Sequence, residues 1–504
     1  MSRVSLAGSS VGLLILAFPG ADQGWLAWLA LAPLVLACRD LRPIPAATIG
    51  LLVGGLASLG LCRWMFEVSG FRAHHAALLA VYLGLYPALW CLALRRLDRS
   101  LLPLVITAPA LWVALDYVRA HAGFLGVAWT TLAHSQHRNL PILQVASVTG
   151  EYGVTFLVAL ASIALARLAH GPRDALAAGA VAVTIAALHI AGALVLRPPS
   201  GAPTLRVAVV QPSIRPLERR TPEAYAASLD RLVRLTRDTA RTGPALIAWP
   251  ETAVRQLGAD RPLQARLSAL ADELGTALVV GASDVEKFAR QGGQELGRRA
   301  HNAAYLIEPG RPLTEPYRKM RLVPFGEYVP FEGHIPWPTW LVPGSIDGVA
   351  GEEPRLFGLA SGSTLATVIC WENLFGDMVR HAVANGAELI VHLTNDSWFG
   401  PTAAPRQHNL ASVLRAVENR IPVVIASNTG PSAILDPWGR VLAEVPTLFA
   451  EGVAVADVPL GGLRPLYTRW GDAFAFTMAA VAALGLALGE RPALSEASRA
   501  ATTS

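Results

Sequence analysis

Val368-Ile369-Cys370-Trp371-Glu372 closes an apolar run, Leu365 to Ile369, that reads as a β-strand ending on a thiol. Upstream, Ala245 to Trp249 makes a second such strand and delivers Pro250 and Glu251. Between the two lies Tyr317-Arg318-Lys319. A carboxylate, an amine and a thiol therefore follow in order, each in or just after a strand-like run. Strand ends hold side chains rigidly at a sheet edge, where catalytic groups commonly sit. Very little of a cysteine thiol is thiolate at neutral pH, so a nucleophilic cysteine needs a base. Glu251 can be that base. Lys319 can stabilise the negative charge that develops when a thiolate attacks a carbonyl.

Each residue has a plainer reading. A lone cysteine in an apolar strand is most often a buried hydrophobe. Two composition facts favour chemistry. The chain has 42 basic residues, but only Lys287 and Lys319 are lysines. Arginine supplies positive charge elsewhere, so a lysine at 319 hints at a need for a compact, deprotonatable amine. Cys370 is also the one cysteine outside the apolar segments that contain or border Cys38, Cys62 and Cys91.

The ordered Glu, Lys and Cys set resembles the nitrilase superfamily. Tyr317 to Pro330, reading YRKMRLVPFGEYVP, is more specific. Together with Trp249-Pro250-Glu251-Thr252, Cys370-Trp371-Glu372-Asn373 and Asn395-Asp396-Ser397-Trp398-Phe399-Gly400, it resembles the bacterial apolipoprotein N-acyltransferases. The resemblance spans nearly the whole chain. It implies a nitrilase-like αββα sandwich with membrane helices on both sides. It also implies supporting roles for Glu327 and Glu372, and it sets the Trp398–Phe399 loop beside the active site. The plainer reading of Glu327 is a pair with Arg321. The backbone N–H of Trp371 follows the nucleophile and can join Lys319 in an oxyanion hole. The chain departs from the family at Pro212-Ser213-Ile214-Arg215-Pro216 and at Arg219-Arg220.

Outward from this stretch the texture becomes apolar. Only 16% of the 504 residues are charged, and mean hydropathy is +0.41, which points to a membrane protein. The pI of about 9.2 does not indicate nucleic acid, because the arginines are scattered. Residues 1–196 read as seven apolar segments, at 5–19, 24–38, 45–62, 75–94, 101–118, 150–166 and 175–196. Each is expected to be a helix, because lipid leaves backbone groups no other partner. Arg3, Arg39, Arg42, Arg95, Arg96, Arg99, Arg167 and Arg173 occupy the N-terminus and alternate loops. Arg63, Arg72, Arg119 and Arg138 occupy the others. Eight against four places the first set in the cytoplasm and residue 197 outside. The first segment could be a signal peptide, but Phe18 to Asp22 lacks a small-x-small cleavage pattern, so an uncleaved helix is expected. Trp129, Ser135, Gln136, Gln144 and Gly150 fit the family pattern and suggest that the 121–150 loop packs under the soluble domain. An ordinary interfacial loop is the alternative.

Residues 197–201 read as a linker. A domain at 203–460 follows, alternating strands and helices. Strands are expected at 205–211, 245–249, 277–281, 303–308, 364–370, 387–393, 422–427 and 452–458, with a hairpin at 432–445. Helices are expected at 222–241, 260–274, 374–385 and 404–419. An eighth apolar segment, 472–489, returns the chain to the cytoplasm, with Arg491 and Arg499 beyond it.

His301, His334, His381, His392 and His408 could offer a Cys-His dyad, but none stands in a motif. No Cys or His cluster has metal spacing, and no glycine loop cradles phosphate, so neither a metal nor a cofactor is expected. Phe331 to Pro343, with Trp337 and Trp340, and the Trp398–Phe399 loop suit the bilayer interface and are candidate substrate contacts. The resemblance implies transfer of an acyl chain from a phospholipid, through a Cys370 thioester, to the α-amine of an apolipoprotein's diacylglyceryl cysteine. The expected partners are therefore membrane lipid and apolipoprotein, at the inner membrane, with the catalytic domain periplasmic. The rivals are a membrane-tethered nitrilase-type amidase and an inactive polytopic scaffold.

Overall fold

The structure is a computed structural model describing residues 1–168, 171–196, 201, 203–215, 218, 221–288, 297–342, 348–462 and 464–489. Residues 197–200 of the expected linker, Pro216, Arg219, Arg220, Pro343, Arg491 and Arg499 lie outside them.

Thirteen strands are described in the second half of the chain, among the described residues. They are β1 Thr204–Gln211, β2 Leu246–Ala248, β3 Val254–Arg255, β4 Ala277–Phe288, β5 Gly297–Ile307, β6 Tyr317–Arg318, β7 Leu356–Gly358, β8 Thr364–Ile369, β9 Leu389–Thr394, β10 Val423–Ser427, β11 Ser432–Leu435, β12 Val441–Val445 and β13 Gly452–Pro459. They form two sheets. One runs β13-β1-β2-β4-β5-β6, with β3 also on β4, and the other runs β12-β11-β10-β9-β8-β7.

Period-two alternation explains the layering. Val207, Val209, Leu246, Ala248 and Val279 of the first sheet meet Leu365, Ile369, Leu389, Val391 and Val424 of the second in one buried core. The intervening residues face outward. Ala208, Val210, Ile247 and Val280 pack on helices Pro222–Ala240 and Arg261–Leu274. Val368, Ile390, Val423 and Ile425 pack on Gly376–Ala384 and Ala404–Asn419. This is the expected αββα sandwich. Parallel pairing of β8, β9 and β10 brings the ends of β8 and β9 together, where Cys370 and Asn395 follow.

Among the described residues, three helices are long and apolar enough to cross a membrane: Pro43–Leu61, Ala73–Asp98 and Pro172–Val195. Arg3–Leu16 and Ala473–Leu488 are apolar but shorter. The first two of the long helices pack antiparallel through glycines. A Cβ on Gly54 would lie 3.0 Å from the Gly84 Cα, and one on Gly50 would lie 2.4 Å from the Pro87 carbonyl oxygen. Small residues let helix backbones approach where lipid supplies no hydrophobic drive.

The 24–38 segment departs from expectation. It is not one helix but a turn at Gly24–Leu26 followed by short helices Ala27–Ala30 and Ala32–Cys38. Pro33 sits in the first turn of the second piece and has no N–H. The Ser162 hydroxyl accepts from Leu31 N–H and Ala32 N–H, each at 2.9 Å, so a neighbouring helix satisfies the break.

Helix ends alternate between two poles. At the pole under the α/β domain, the Pro19 and Leu61 carbonyls bind Gln407, and His75 binds the Trp340 carbonyl at 2.8 Å. There too, Glu151 pairs with Arg415, and the Leu196 carbonyl accepts from Arg440. At the opposite pole, Arg3 donates to the Arg39 carbonyl, and Arg167 joins Asp98 and Asp174. The 121–150 loop packs under the domain: Trp129 donates to Gln407 at 3.0 Å, and Gln144 donates to the Trp438 carbonyl at 3.2 Å.

Candidate active site

β2 ends at Ala248, and the chain turns through Pro250 to set Glu251 in the interior. Its Oε1 accepts from the Asn302 amide at 2.5 Å, and its Oε2 accepts from the Asn395 backbone N–H at 2.8 Å. Asn302 lies on β5 and Asn395 just after β9, so the carboxylate is held from both sheets. Burial pushes its pKa up to about 7, against the pull of the Lys319 charge. Glu251 is therefore poised to take a proton near neutrality.

Lys319 follows β6 and is fully buried. Its backbone N–H donates to the Asn302 carbonyl at 2.8 Å. Nζ donates to Glu327 Oε1 at 2.7 Å and lies 3.9 Å from Glu251 Oε1. Burial presses its pKa down, but Cys370, Glu327 and Glu251 together hold it above the ordinary lysine value. The expectation of a deprotonatable amine is thus corrected: this lysine stays charged. What distinguishes it from arginine is a compact point charge that fits a closed slot between carboxylates. The other oxygen of Glu327 accepts from Val323 N–H at 2.7 Å. Arg321 instead pairs with Asp377 at 2.7 Å and lies over the Phe375 ring.

Cys370 leaves β8 with φ of +54°, a left-handed conformation rare for a residue with a side chain. Such strain clusters at functional sites. Burial and the Glu251 charge push its thiol well up, with Lys319 opposing, so the thiol rests neutral. Glu372, fully buried, fixes the turn. Its Oε2 accepts from Ile369 N–H at 2.7 Å, and its Oε1 accepts from Met320 N–H at 2.7 Å and Arg321 N–H at 3.0 Å. The Tyr317 hydroxyl donates to the same carboxylate at 2.9 Å. Trp371 donates through its indole to the Arg321 carbonyl at 2.6 Å. His392 donates from Nε2 to the Cys370 carbonyl at 2.9 Å, and its Nδ1 is 3.1 Å from the Ser412 hydroxyl. That histidine holds the backbone of the turn.

Asn302, the Asn395 N–H, the Tyr317 hydroxyl and His392 are the groups that the sequence reading did not assign. Tyr317 and Asn395 stood inside the quoted motifs. Asn302 carried no signal, being one polar residue in a long strand.

The four candidate substrate contacts separate. Trp337 packs on Phe325 and on Phe124, and Phe124, though not Trp337, lines a cavity of about 660 Å³. Met320, Arg321, Trp371 and Phe375 line that cavity from the domain, and His121 and Phe124 from the bundle. Trp340 and Trp398 are 52% and 55% exposed and do not line it. Trp340 meets His74, and Phe399 meets Trp64 at 4.6 Å between ring centroids. These loops touch the ends of the apolar helices.

Family comparison agrees with this two-part build. The carbon-nitrogen hydrolase model matches residues 206–467, and the apolipoprotein N-acyltransferase N-terminal domain model matches residues 10–164. These matches define a nitrilase-type α/β domain carried on a membrane-helix domain. Apolipoprotein N-acyltransferase of Geobacter metallireducens is 35% identical over 496 residues, covering 95% of this chain and 94% of that protein. The Methylococcus capsulatus protein of the same name is 32% identical, covering 94% and 93%. A solved amidase of the nitrilase superfamily from Nesterenkonia aligns with 24% identity and a TM-score of 0.38, covering 52% of this chain and 92% of that one. The chain belongs to the apolipoprotein N-acyltransferase family, and it is a membrane protein.

The raised pKa of Glu251 predicts a pH profile. Below about 7 the carboxyl keeps its proton and cannot accept one from the thiol, so Cys370 reactivity should climb as pH rises through that value. Alkylation of Cys370 by iodoacetamide checks this. Glu251→Gln should lower the rate by about 10²–10⁴-fold and abolish the rise near neutrality. An unchanged profile in the Gln variant contradicts a base role.

Proposed function

We propose that this N-acyltransferase moves a fatty acyl chain from a membrane phospholipid to the N-terminal α-amine of the diacylglyceryl cysteine of apolipoproteins, by way of a thioester on Cys370. One observation supports it above the others: Met320 and Trp371, the chain neighbours of buried Lys319 and half-buried Cys370, line a cavity at the seam between the α/β domain and the membrane helices. The cavity's aromatic walls suit an acyl chain, and Arg321 suits a phosphate.

Glu251 takes the Cys370 proton as sulfur attacks the ester carbonyl carbon. The oxyanion so formed faces the Lys319 ammonium and the Trp371 N–H. Collapse breaks the ester C–O bond. The proton on Glu251 passes to the departing alkoxide, lysophospholipid leaves, and the acyl group stays on sulfur. The α-amine then attacks the thioester and gives its proton to Glu251. The C–S bond breaks, and Glu251 returns the proton to the thiolate. Atoms and charge balance without a cofactor. Glu327 keeps Lys319 in place, and Glu372 holds the turn that carries Cys370. A thioester conserves the energy of the donor ester and is readily attacked by an amine.

Amine and water differ as acceptors, and the difference separates this reading from an amidase. Enzyme given phospholipid alone should release about one lysophospholipid per active site and stall, and a diacylglyceryl-cysteine peptide should restart turnover. Continuous release without the peptide favours a hydrolase.

The membrane orientation is part of the proposal, with seven crossings before residue 197 and the α/β domain at 203–460 in the periplasm. The two poles of the bundle support it. The eight arginines assigned to the cytoplasm lie on turns and helix ends at the pole away from the domain. Ala265 is exposed on the Arg261–Leu274 helix and suits a labelling cysteine. An Ala265→Cys variant in intact spheroplasts should react with a membrane-impermeant thiol reagent. Reaction only after lysis places the domain in the cytoplasm and removes exported lipoproteins as substrates.

A further inference from the structure

We propose that the bundle pole away from the α/β domain carries a binding site for one anionic phospholipid, separate from the acyl-transfer site. It rests on the reading of these helices as membrane-spanning, and not on the thioester mechanism.

A cavity of about 570 Å³ opens at that pole, between residues 35–46, the end of the Ala73–Asp98 helix, Leu104, Arg167 and Asp174. This is within the size range of ligand pockets. The Pro43–Leu61 helix, 19 residues long, runs from this cavity to the domain pole, and at 1.5 Å per residue it spans roughly 28 Å. The two sites therefore stand about a bilayer core apart.

The lining is divided in the way an amphiphile is. Leu36, Leu94 and Leu104 are apolar, whereas Arg39, Arg95, Arg99 and Arg167 bring four guanidiniums. The carboxylates in the lining are already engaged. Asp98 and Asp174 both bind Arg167, at 2.5 and 3.2 Å, and Asp40 is 3.5 Å from Arg39. Among the described residues, Arg95 and Arg99 have no ion-pair partner. Arg3 adds a further positive charge by donating to the Arg39 carbonyl at 3.4 Å.

Around the cavity, Ile44 and Leu101 are 77% and 64% exposed, as side chains facing acyl chains are. A guanidinium pair above an apolar floor fits a phosphodiester headgroup with its chains lying against the leucines. Inorganic phosphate shares the headgroup chemistry but leaves the floor uncovered.

Native mass spectrometry of the full chain in detergent tests this, with phosphatidylglycerol, phosphatidylcholine or inorganic phosphate added. Wild type should retain one phosphatidylglycerol in preference to phosphatidylcholine. The Arg95→Gln/Arg99→Gln double variant should retain at least about tenfold less, while Arg173→Gln, at the same pole but outside the cavity lining, should match wild type. Ala46→Phe, which fills the cavity and leaves every charge in place, should also lose the lipid. Acyl transfer measured on the same samples should be near wild type for the double variant, which separates loss of this site from misfolding or failure of the functional reading. Equal retention by the double variant overturns the proposal. So does an equal loss with Arg173→Gln, which would mean diffuse surface attraction, or displacement by equimolar inorganic phosphate, which would mean an ion site.

Discussion

The Glu372 carboxylate joins what the rest of the site depends on. It sits at zero exposure and accepts from Ile369 on one sheet and from Tyr317, Met320 and Arg321 at the edge of the other. Burial pushes its pKa up, and the three backbone donors pull it back toward the charged form. Lys319 lies between Tyr317 and Met320, and Cys370 between Ile369 and Trp371. One side chain thus sets the ammonium and the thiol relative to each other. Removing it would strand the buried Ile369 N–H, at a cost of about 1–3 kcal/mol, and the partly buried N–H groups of Met320 and Arg321. Charge density is the second constraint. Four ionisable groups, Glu251, Lys319, Glu327 and Cys370, stand together, and Lys319 is the cation that makes Glu251 and Glu327 tolerable together.

The α/β domain and the helix bundle share a polar seam that ties the membrane to the site. Gln407 uses its whole amide there. Its Oε1 accepts from Trp64 and Trp129, and its Nε2 donates to the carbonyls of Pro19 and Leu61. Trp64 meets Phe399, and Trp129 stacks on His408, whose Nδ1 is 2.9 Å from Asp396. Asp396 adjoins Asn395, whose N–H holds Glu251. Nearby, buried Arg415 binds both Glu151 of the bundle and Glu418 of the domain, at 2.8 Å each. Buried ion pairs of this kind do more for registry than for stability. Their registry here sets the domain side of the cavity, with Met320, Arg321 and Trp371, against its bundle side, with His121 and Phe124.

The sandwich was legible because its strands are short apolar runs with turn residues between them; each expected strand is found, but β4 runs on to Phe288 and β5 begins at Gly297, well beyond the expected 277–281 and 303–308. Both site-bearing strand ends followed from the same pattern. Other features escaped. β3, β6 and β7 are two or three residues long and are held by pairing with β4, β5 and β8, so no local periodicity marks them. The 24–38 segment is apolar throughout, and hydropathy does not register a break healed by Ser162 from 130 residues away. The charge on Lys319 depends on Glu327, eight residues on, and on Glu251 and Cys370 brought in from other strands, so a scarcity of lysine singled out the residue without showing that it stays charged. Asn302 was invisible for the same reason: its value lies in what β4, β5 and β6 assemble around it.

The most direct test is whether Cys370 carries the acyl group. Intact-mass analysis of the purified protein after incubation with a phospholipid of one chain length should show one added acyl mass. Peptide mapping should place it on Cys370, and neutral hydroxylamine should remove it, as it does a thioester. Cys370→Ala should gain no such mass and transfer no acyl chain. An alanine variant that still acylates a diacylglyceryl-cysteine peptide, or a wild-type adduct mapped to another residue, would contradict the account.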